Sequence, residues 1–115
     1  MKLFESQEID EWHRKLNSKD YAPKGCYRRN VRVYNLVCYV NNIIGCYLAC
    51  HEEPIIHFIR RSRKHMNDFP ANEELIEYYR MVKEYLRVVE SHLKNNGIDI
   101  SPIYAFQKNM TKQNE

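Results

Sequence analysis

The stretch VYNLVCYVNNIIGCYLAC, residues Val33–Cys50, decides the fold of this chain because it contains no charged residue. Its eighteen residues approach the length of a transmembrane helix, and it carries three of the four cysteines. It is compatible with a membrane span, a metal site, or the central helix of a helical bundle. Each of these alternatives requires different residues within and beside the stretch.

The polar residues inside the stretch disfavour a membrane span. Asn35, Asn41 and Asn42 would place amide groups where no water is available to satisfy them. Basic residues lie on both sides of the stretch, so no charge bias sets an orientation across a bilayer. We therefore predict a core helix, with no membrane partner.

The metal alternative depends on Cys46 and Cys50, which lie one helical turn apart, with His51 and His57 close in sequence. A structural zinc site needs about four converging ligands, commonly supplied by CxxC pairs that this chain lacks. Cysteines on a buried helix are usually small packing residues. We predict no metal and no cofactor.

Apolar spacing predicts three helices in the first two thirds of the chain. The first begins at Ser6, and a longer one runs from about Tyr27 to His51. A third begins near Pro54, which is suited to the first turn of a helix, and ends with the basic run RRSRKH, residues 60–65. The segment MNDFPA, residues 66–71, is predicted to be a break.

The clearest periodicity lies in the fourth helix, for which Asn72 is the predicted N-cap and Asn95–Gly97 the stop. Its apolar residues recur at spacings of four and three, in a seam formed by Leu75, Tyr79, Val82, Leu86, Val89 and Leu93. We expect this seam to be core, so that the protein is a monomer; the alternative is a homodimer through Leu75–Leu93. Ser101–Pro102 is expected to cap one more short turn.

These patterns predict one all-α domain, a small bundle of about four helices plus a short C-terminal turn. A chain of 115 residues is long enough for one core, and three glycines and four prolines disfavour a β-sandwich or barrel. Residues 1–108 are assigned to the domain and residues 109–115 to a flexible tail. The acidic N-terminus lacks a signal-peptide pattern, so we expect a cytoplasmic protein whose cysteines are thiols.

The net charge of +3 conceals a strongly basic middle section. Residues 12–64 carry a net charge of +8, whereas the segments before and after them are acidic. Such a section attracts a polyanion or an acidic protein face, or is neutralised within the fold by the acidic helix that follows. The sequence leaves both alternatives open.

Two basic clusters are the predicted partner-binding residues. They comprise Lys24, Tyr27, Arg28, Arg29, Arg32, Arg60, Arg61, Arg63 and Lys64. Arg and Lys neutralise phosphates or carboxylates, and Tyr stacks on unpaired bases. We expect a non-enzymatic binding protein whose partner is a protein, a ribonucleoprotein or nucleic-acid enzyme, or RNA itself. A compact chain without a catalytic signature has the format of regulators and inhibitors, including those of phages and mobile elements.

The alternative function is RNA cleavage. The segment Arg60–His65 fits the Arg-x4-His pattern of HEPN ribonucleases, which are also all-α bundles, and Arg87–His92 fits it as well. Arg and His together stabilise a phosphorane and transfer protons. The alternative prediction is therefore a small HEPN-like ribonuclease with Arg60 and His65 as catalytic residues.

Overall fold

The computed structural model describes residues 2–17, 31–71 and 73–105, and within them the chain is all-α, as predicted. The four helices are α1 (Gln7–Asn17), α2 (Val31–Leu48), α3 (Glu52–Asp68) and α4 (Ile76–Asn95). Two short 3₁₀ turns, Glu73–Leu75 and Ser101–Tyr104, precede and follow α4. The predicted C-terminal turn is thus confirmed, but Ser101 and Pro102 lie within it and its N-cap is Ile100. The predicted cap Asn72 and tail 109–115 lie outside the described residues.

Helix α1 begins where its capping residue predicts. The hydroxyl of Ser6 accepts a hydrogen bond of 3.2 Å from the backbone N–H of Ile9, which satisfies a donor of the first turn. Glu8 and Asp10 follow in that turn, where the helix dipole favours acidic groups. Ile9 and Leu16 then bury their side chains in the core.

Helix α2 contains most of the uncharged stretch and forms part of the core. Leu36, Val40, Ile43 and Tyr47 recur on its inner side and are at most 2% exposed. Helix α2 packs chiefly against α3, while α1 packs against α4. No helix in the described ranges is both long enough and apolar enough to cross a membrane.

A left-handed residue ends α2. Cys50 has a φ of 59°, and the N–H of His51 donates to the carbonyl of Cys46 at 2.9 Å. The same arrangement ends α4, where Gly97 has a φ of 81° and the N–H of Ile98 donates to Leu93 at 3.0 Å. Both are Schellman terminations, but only the one in α4 uses the residue that the left-handed conformation favours.

The break predicted over residues 66–71 begins too early, because α3 continues through Asp68 and only residues 69–71 lie outside a helix. Met66 is buried in the core, and its packing keeps these residues helical. The helix ends at Asp68, and its C-cap, Phe69, stands directly before Pro70 with φ −131° and ψ 82°. These angles lie outside the helical region, which the ring of the following proline disfavours for its predecessor.

The seam of α4 packs inside the single chain, which confirms it as core. None of its six residues is more than 5% exposed. They form one cluster with the inner residues of α1, α2 and α3. The side chains therefore find their apolar partners within one copy of the protein.

A buried polar cluster joins α1, α2 and α4. Nε2 of His13 and the hydroxyl of Tyr85 are 2.7 Å apart and hydrogen-bonded, and the ring of Tyr47 meets His13 edge-on. Burial lowers the pKa of His13 from 6.5 to about 4, with Asp10 opposing the shift and Lys2 adding to it. Burial also raises the pKa of Tyr85, so both side chains are neutral at pH 7.

Replacing Cys50 with glycine should stabilise the protein by about 1 kcal/mol, because glycine adopts the left-handed conformation without a steric penalty. Chemical denaturation measures the change. The matched control is Gly97→Ala, which should be destabilising. No described atom beyond its two chain neighbours lies within 4 Å of the added Cβ, so the variant isolates the backbone penalty. Equal stability of Cys50→Gly and the wild type would contradict the steric penalty inferred for the left-handed conformation of Cys50.

The free energy of unfolding should fall as the pH drops from about 6.5 to about 4. In that range the unfolded chain protonates His13 while the folded chain does not, so the stability present above pH 6.5 is lost, up to about 3 kcal/mol. His13→Gln should flatten the pH profile. The exposed His57 provides the control, since His57→Gln should leave the profile unchanged.

Candidate partner-binding surface

The basic run of α3 is divided between two sides of the helix. Arg60, Arg61 and Lys64 are exposed, and we call them the α3 basic face. Arg60 and Arg61 are adjacent, and Lys64 follows them by four and three residues. The three side chains therefore lie together on the side opposite the buried Ile59 and Met66. Arg63 is only half-buried and lies on the flank that faces α4.

Arg63 forms an internal ion pair with Glu90 of α4. Its Nε donates to Oε2 of Glu90 at 2.6 Å, and a terminal guanidinium nitrogen lies 2.6 Å from the same oxygen. The side chain of Glu90 is 5% exposed and that of Arg63 is 20% exposed. A carboxylate this deeply buried requires such a partner, because its desolvation is otherwise strongly unfavourable.

Tyr104 completes this arrangement from the C-terminal 3₁₀ turn. Its hydroxyl donates to Oε1 of Glu90, and its ring lies 5.5 Å below the guanidinium of Arg63. Burial and the hydrogen bond to Glu90 raise the pKa of Tyr104 to about 12, so the hydroxyl remains a donor at pH 7. We call Arg63, Glu90 and Tyr104 the Glu90 cluster; it connects α3, α4 and the turn Ser101–Tyr104.

The α3 basic face has little internal compensation. Arg60 and Arg61 have no ion-pair partner among the described residues. Lys64 lies 2.6 Å from Asp68, and its hydrogen bond lowers the pKa of that carboxyl group. Both side chains of this i,i+4 pair are exposed, so the pair contributes little stability and is easily exchanged for another partner.

A groove of about 640 Å³ lies between the C-terminal half of α3 and the N-terminal half of α4. Arg80 and Lys83 line the α4 side, and Arg63 reaches the groove from α3. Met66, Pro70, Ala71 and Ile76 supply apolar surface. Ile76 is 44% exposed, which makes it one of the most exposed large apolar residues in the described chain.

Sequence reasoning missed Arg80 and Lys83 as candidate site residues. They do not form a run, and only the packing of α4 on α3 brings them beside Arg63. Their spacing of three on the polar side of α4 was the available signal. The predicted residues Lys24, Tyr27, Arg28 and Arg29 lie outside the described residues, and Arg32 lies in the first turn of α2.

His65, the predicted catalytic histidine of the alternative function, is buried between aromatic rings. It is 8% exposed and contacts Tyr39 and Phe69, with ring centroids 6.0 and 5.1 Å away. Arg60 lies about 140° around the helix from it, as a separation of five residues requires. Arg61, not Arg60, lines the shallow cavity of about 230 Å³ that His65 borders.

In the second Arg-x4-His match, Arg87–His92, the arginine and the histidine each contact other residues. Arg87 pairs with Glu84 on the surface of α4. Nε2 of His92 lies 3.0 Å from Glu8 and 3.4 Å from the hydroxyl of Ser6. A serine–histidine–carboxylate triad uses the two ring nitrogens separately, whereas here both contacts involve the same nitrogen. The histidine thus ties α4 to the start of α1.

The cysteines of α2 and its C-terminal turn are not arranged as a metal site. Cys38, Cys46 and Cys50 are free thiols, and burial raises the pKa of Cys46. No group of three or more His, Cys, Asp or Glu residues within residues 2–17, 31–71 and 73–105 is placed to hold a metal ion. Cys26 lies outside these ranges.

No protein-family model matches the chain, and comparisons with curated proteins and with solved structures found no similar protein.

Arg63→Gln should destabilise the protein, because it leaves the carboxylate of Glu90 buried without a counter-charge. Breaking a buried pair costs about 3–5 kcal/mol, and the partial exposure of Arg63 places this variant near the lower limit. Arg60→Gln, three residues away on the same helix, should change the free energy of unfolding by less than about 0.5 kcal/mol. Urea denaturation of both variants measures the contrast, and equal effects would contradict the internal role of Arg63.

Proposed function

We propose that this protein is a non-enzymatic helical binding module that docks onto an anionic partner through the α3 basic face. Arg60, Arg61 and Lys64 are exposed together on one side of α3, and this exposure supports the proposal. Two of these cations have no ion-pair partner among the described residues, so their charge is available to a partner. Acting as a regulator or inhibitor is the role we infer for a module of this size.

The placement of the cations supports direct hydrogen bonds to an anionic partner rather than long-range electrostatic attraction alone. The Glu90 cluster holds Arg63 against α4, whereas Arg60, Arg61 and Lys64 remain exposed on the outer side of α3. Three cations spaced over little more than one helical turn present donors to phosphate or carboxylate oxygens without rearrangement. Such contacts strengthen binding and make it steeply dependent on salt.

The alternative function, a ribonuclease using Arg60 and His65, remains a prediction without a supporting observation. A catalytic pair must reach one substrate atom together. The exposed Arg60 and the buried His65 lie on different sides of α3. His65→Ala distinguishes the two functions, since a ribonuclease would lose turnover while retaining affinity for RNA.

The triple variant Arg60→Gln, Arg61→Gln, Lys64→Gln should lose partner binding and remain folded. The matched control is Arg14→Gln, Arg87→Gln, Lys94→Gln, which removes the same charge from other exposed positions. We expect affinity capture from a cell lysate to recover the partner with wild type and control only. Three lost charged contacts reduce affinity by orders of magnitude, whereas exposed substitutions change stability by about 0.5 kcal/mol or less.

Treating the lysate with nuclease before capture shows whether nucleic acid is part of the complex. Loss of the recovered partner after nuclease assigns the contact to RNA or DNA, and retention assigns it to protein. A triple variant that recovers the same partner as wild type would contradict the proposal and exclude the α3 basic face as the binding surface.

A further inference from the structure

We propose that the groove between α3 and α4 binds an acidic amphipathic segment of a partner protein, in which apolar side chains are flanked by Asp or Glu. The groove is a second surface, separate from the α3 basic face, and the inference goes beyond the proposed function by assigning it a class of partner. The occupant's apolar side chains would enter the groove, and its carboxylates would meet Arg80 and Lys83 at the edge.

The charge of the groove selects an anionic occupant. Arg80 and Lys83 stand three residues apart on α4 and so lie side by side. None of the described lining residues is acidic. Arg80 contacts Glu77 at 3.1 Å, but both side chains are more than 70% exposed, so this pair is weak and exchangeable. Glu90 already neutralises Arg63, which leaves the two cations of α4 for the ligand.

The apolar surface of the groove selects aliphatic side chains over nucleotide bases. Met66 and Ile76 contribute flexible and branched aliphatic groups, beside Pro70 and Ala71. The aromatic residue of the described lining is Tyr79, which is 5% exposed and whose hydroxyl donates to the carbonyl of Phe69 at 3.0 Å. It offers no exposed face for a base to stack on, whereas single-stranded RNA is recognised largely by such stacking.

The dimensions agree with this occupant. A volume of about 640 Å³ falls within the range of sites that enclose a small ligand, and accommodates a few side chains rather than a folded surface. Covering Ile76, which is 44% exposed, would remove apolar area from water. The groove thus combines an apolar contribution to affinity with a charged contribution to specificity.

The test uses three probes: a short peptide of alternating leucine and glutamate pairs, the same peptide with serine in place of leucine, and single-stranded oligouridylate. Fluorescence anisotropy with the full chain should show at least about tenfold tighter binding of the leucine peptide than of the serine peptide. Ile76→Ser should remove most of this difference. Leu48→Ser is the control, because Leu48 is similarly exposed, at 47%, but lies on α2.

A second pair of variants tests the charge. Arg80→Gln with Lys83→Gln should weaken both peptides by about tenfold or more, while Arg14→Gln with Lys94→Gln, which removes the same charge elsewhere, should have a smaller effect. Equal binding of the two peptides, or an Ile76→Ser variant that binds like wild type, would overturn the inference.

The outcomes separate this inference from the proposed function. Oligouridylate that binds through the α3 basic face, with no preference for the leucine peptide, would overturn the acidic segment and support the anion-binding module. No binding of any probe, together with unchanged capture by the triple variant, would overturn both.

Discussion

The carboxylate of Glu90 is the constraint on which the arrangement of α3, α4 and the C-terminal turn depends. It is a charged group that is almost excluded from water, and it is tolerated because Arg63 and Tyr104 donate to its two oxygens. These donors come from separate elements, so the carboxylate connects α3 and the C-terminal turn to α4. Arg63 is directed toward α4 and lines the groove beside Arg80 and Lys83, whereas Arg60, Arg61 and Lys64 face outward.

A second polar cluster, formed by His13, Tyr47 and Tyr85, joins α1, α2 and α4 and contains no charged group at pH 7. His13 and Tyr85 are both neutral at pH 7, and their hydrogen bond joins α1 to α4 without burying a charge. Acidification protonates His13 and so removes the neutral form that burial favours. The Glu90 cluster instead contains a charged pair, Arg63 and Glu90. Apolar packing around both clusters supplies the larger part of the stability, since the inner faces of all four helices belong to one core.

The sequence predicted the fold to the extent that local signals were sufficient. The start of α1 at Ser6, the seam from Leu75 to Leu93 and the stop at Gly97 are encoded by neighbouring residues, and all three were identified correctly. The extension of α3 through Asp68 was missed because the burial of Met66 is a tertiary effect. Cys50 was missed because a left-handed terminator is usually glycine. The pairing of Arg63 with Glu90 joins residues 27 positions apart, and no local pattern indicates which of four adjacent cations will be internal. For the same reason, Arg80 and Lys83 became candidates only when α4 was placed against α3.

The basic run of α3 is divided, because Arg63 pairs with a buried carboxylate whereas Arg60, Arg61 and Lys64 are exposed. Hydrogen exchange of the arginine Nε–H groups, followed by NMR at neutral pH, measures this division directly. The Nε–H of Arg63 is hydrogen-bonded to a buried carboxylate, so it should exchange far more slowly than those of Arg60 and Arg61, which are exposed. Exchange of Arg63 at the same rate as Arg60 and Arg61 would contradict the account, because α3 would then present all of its cations to solvent.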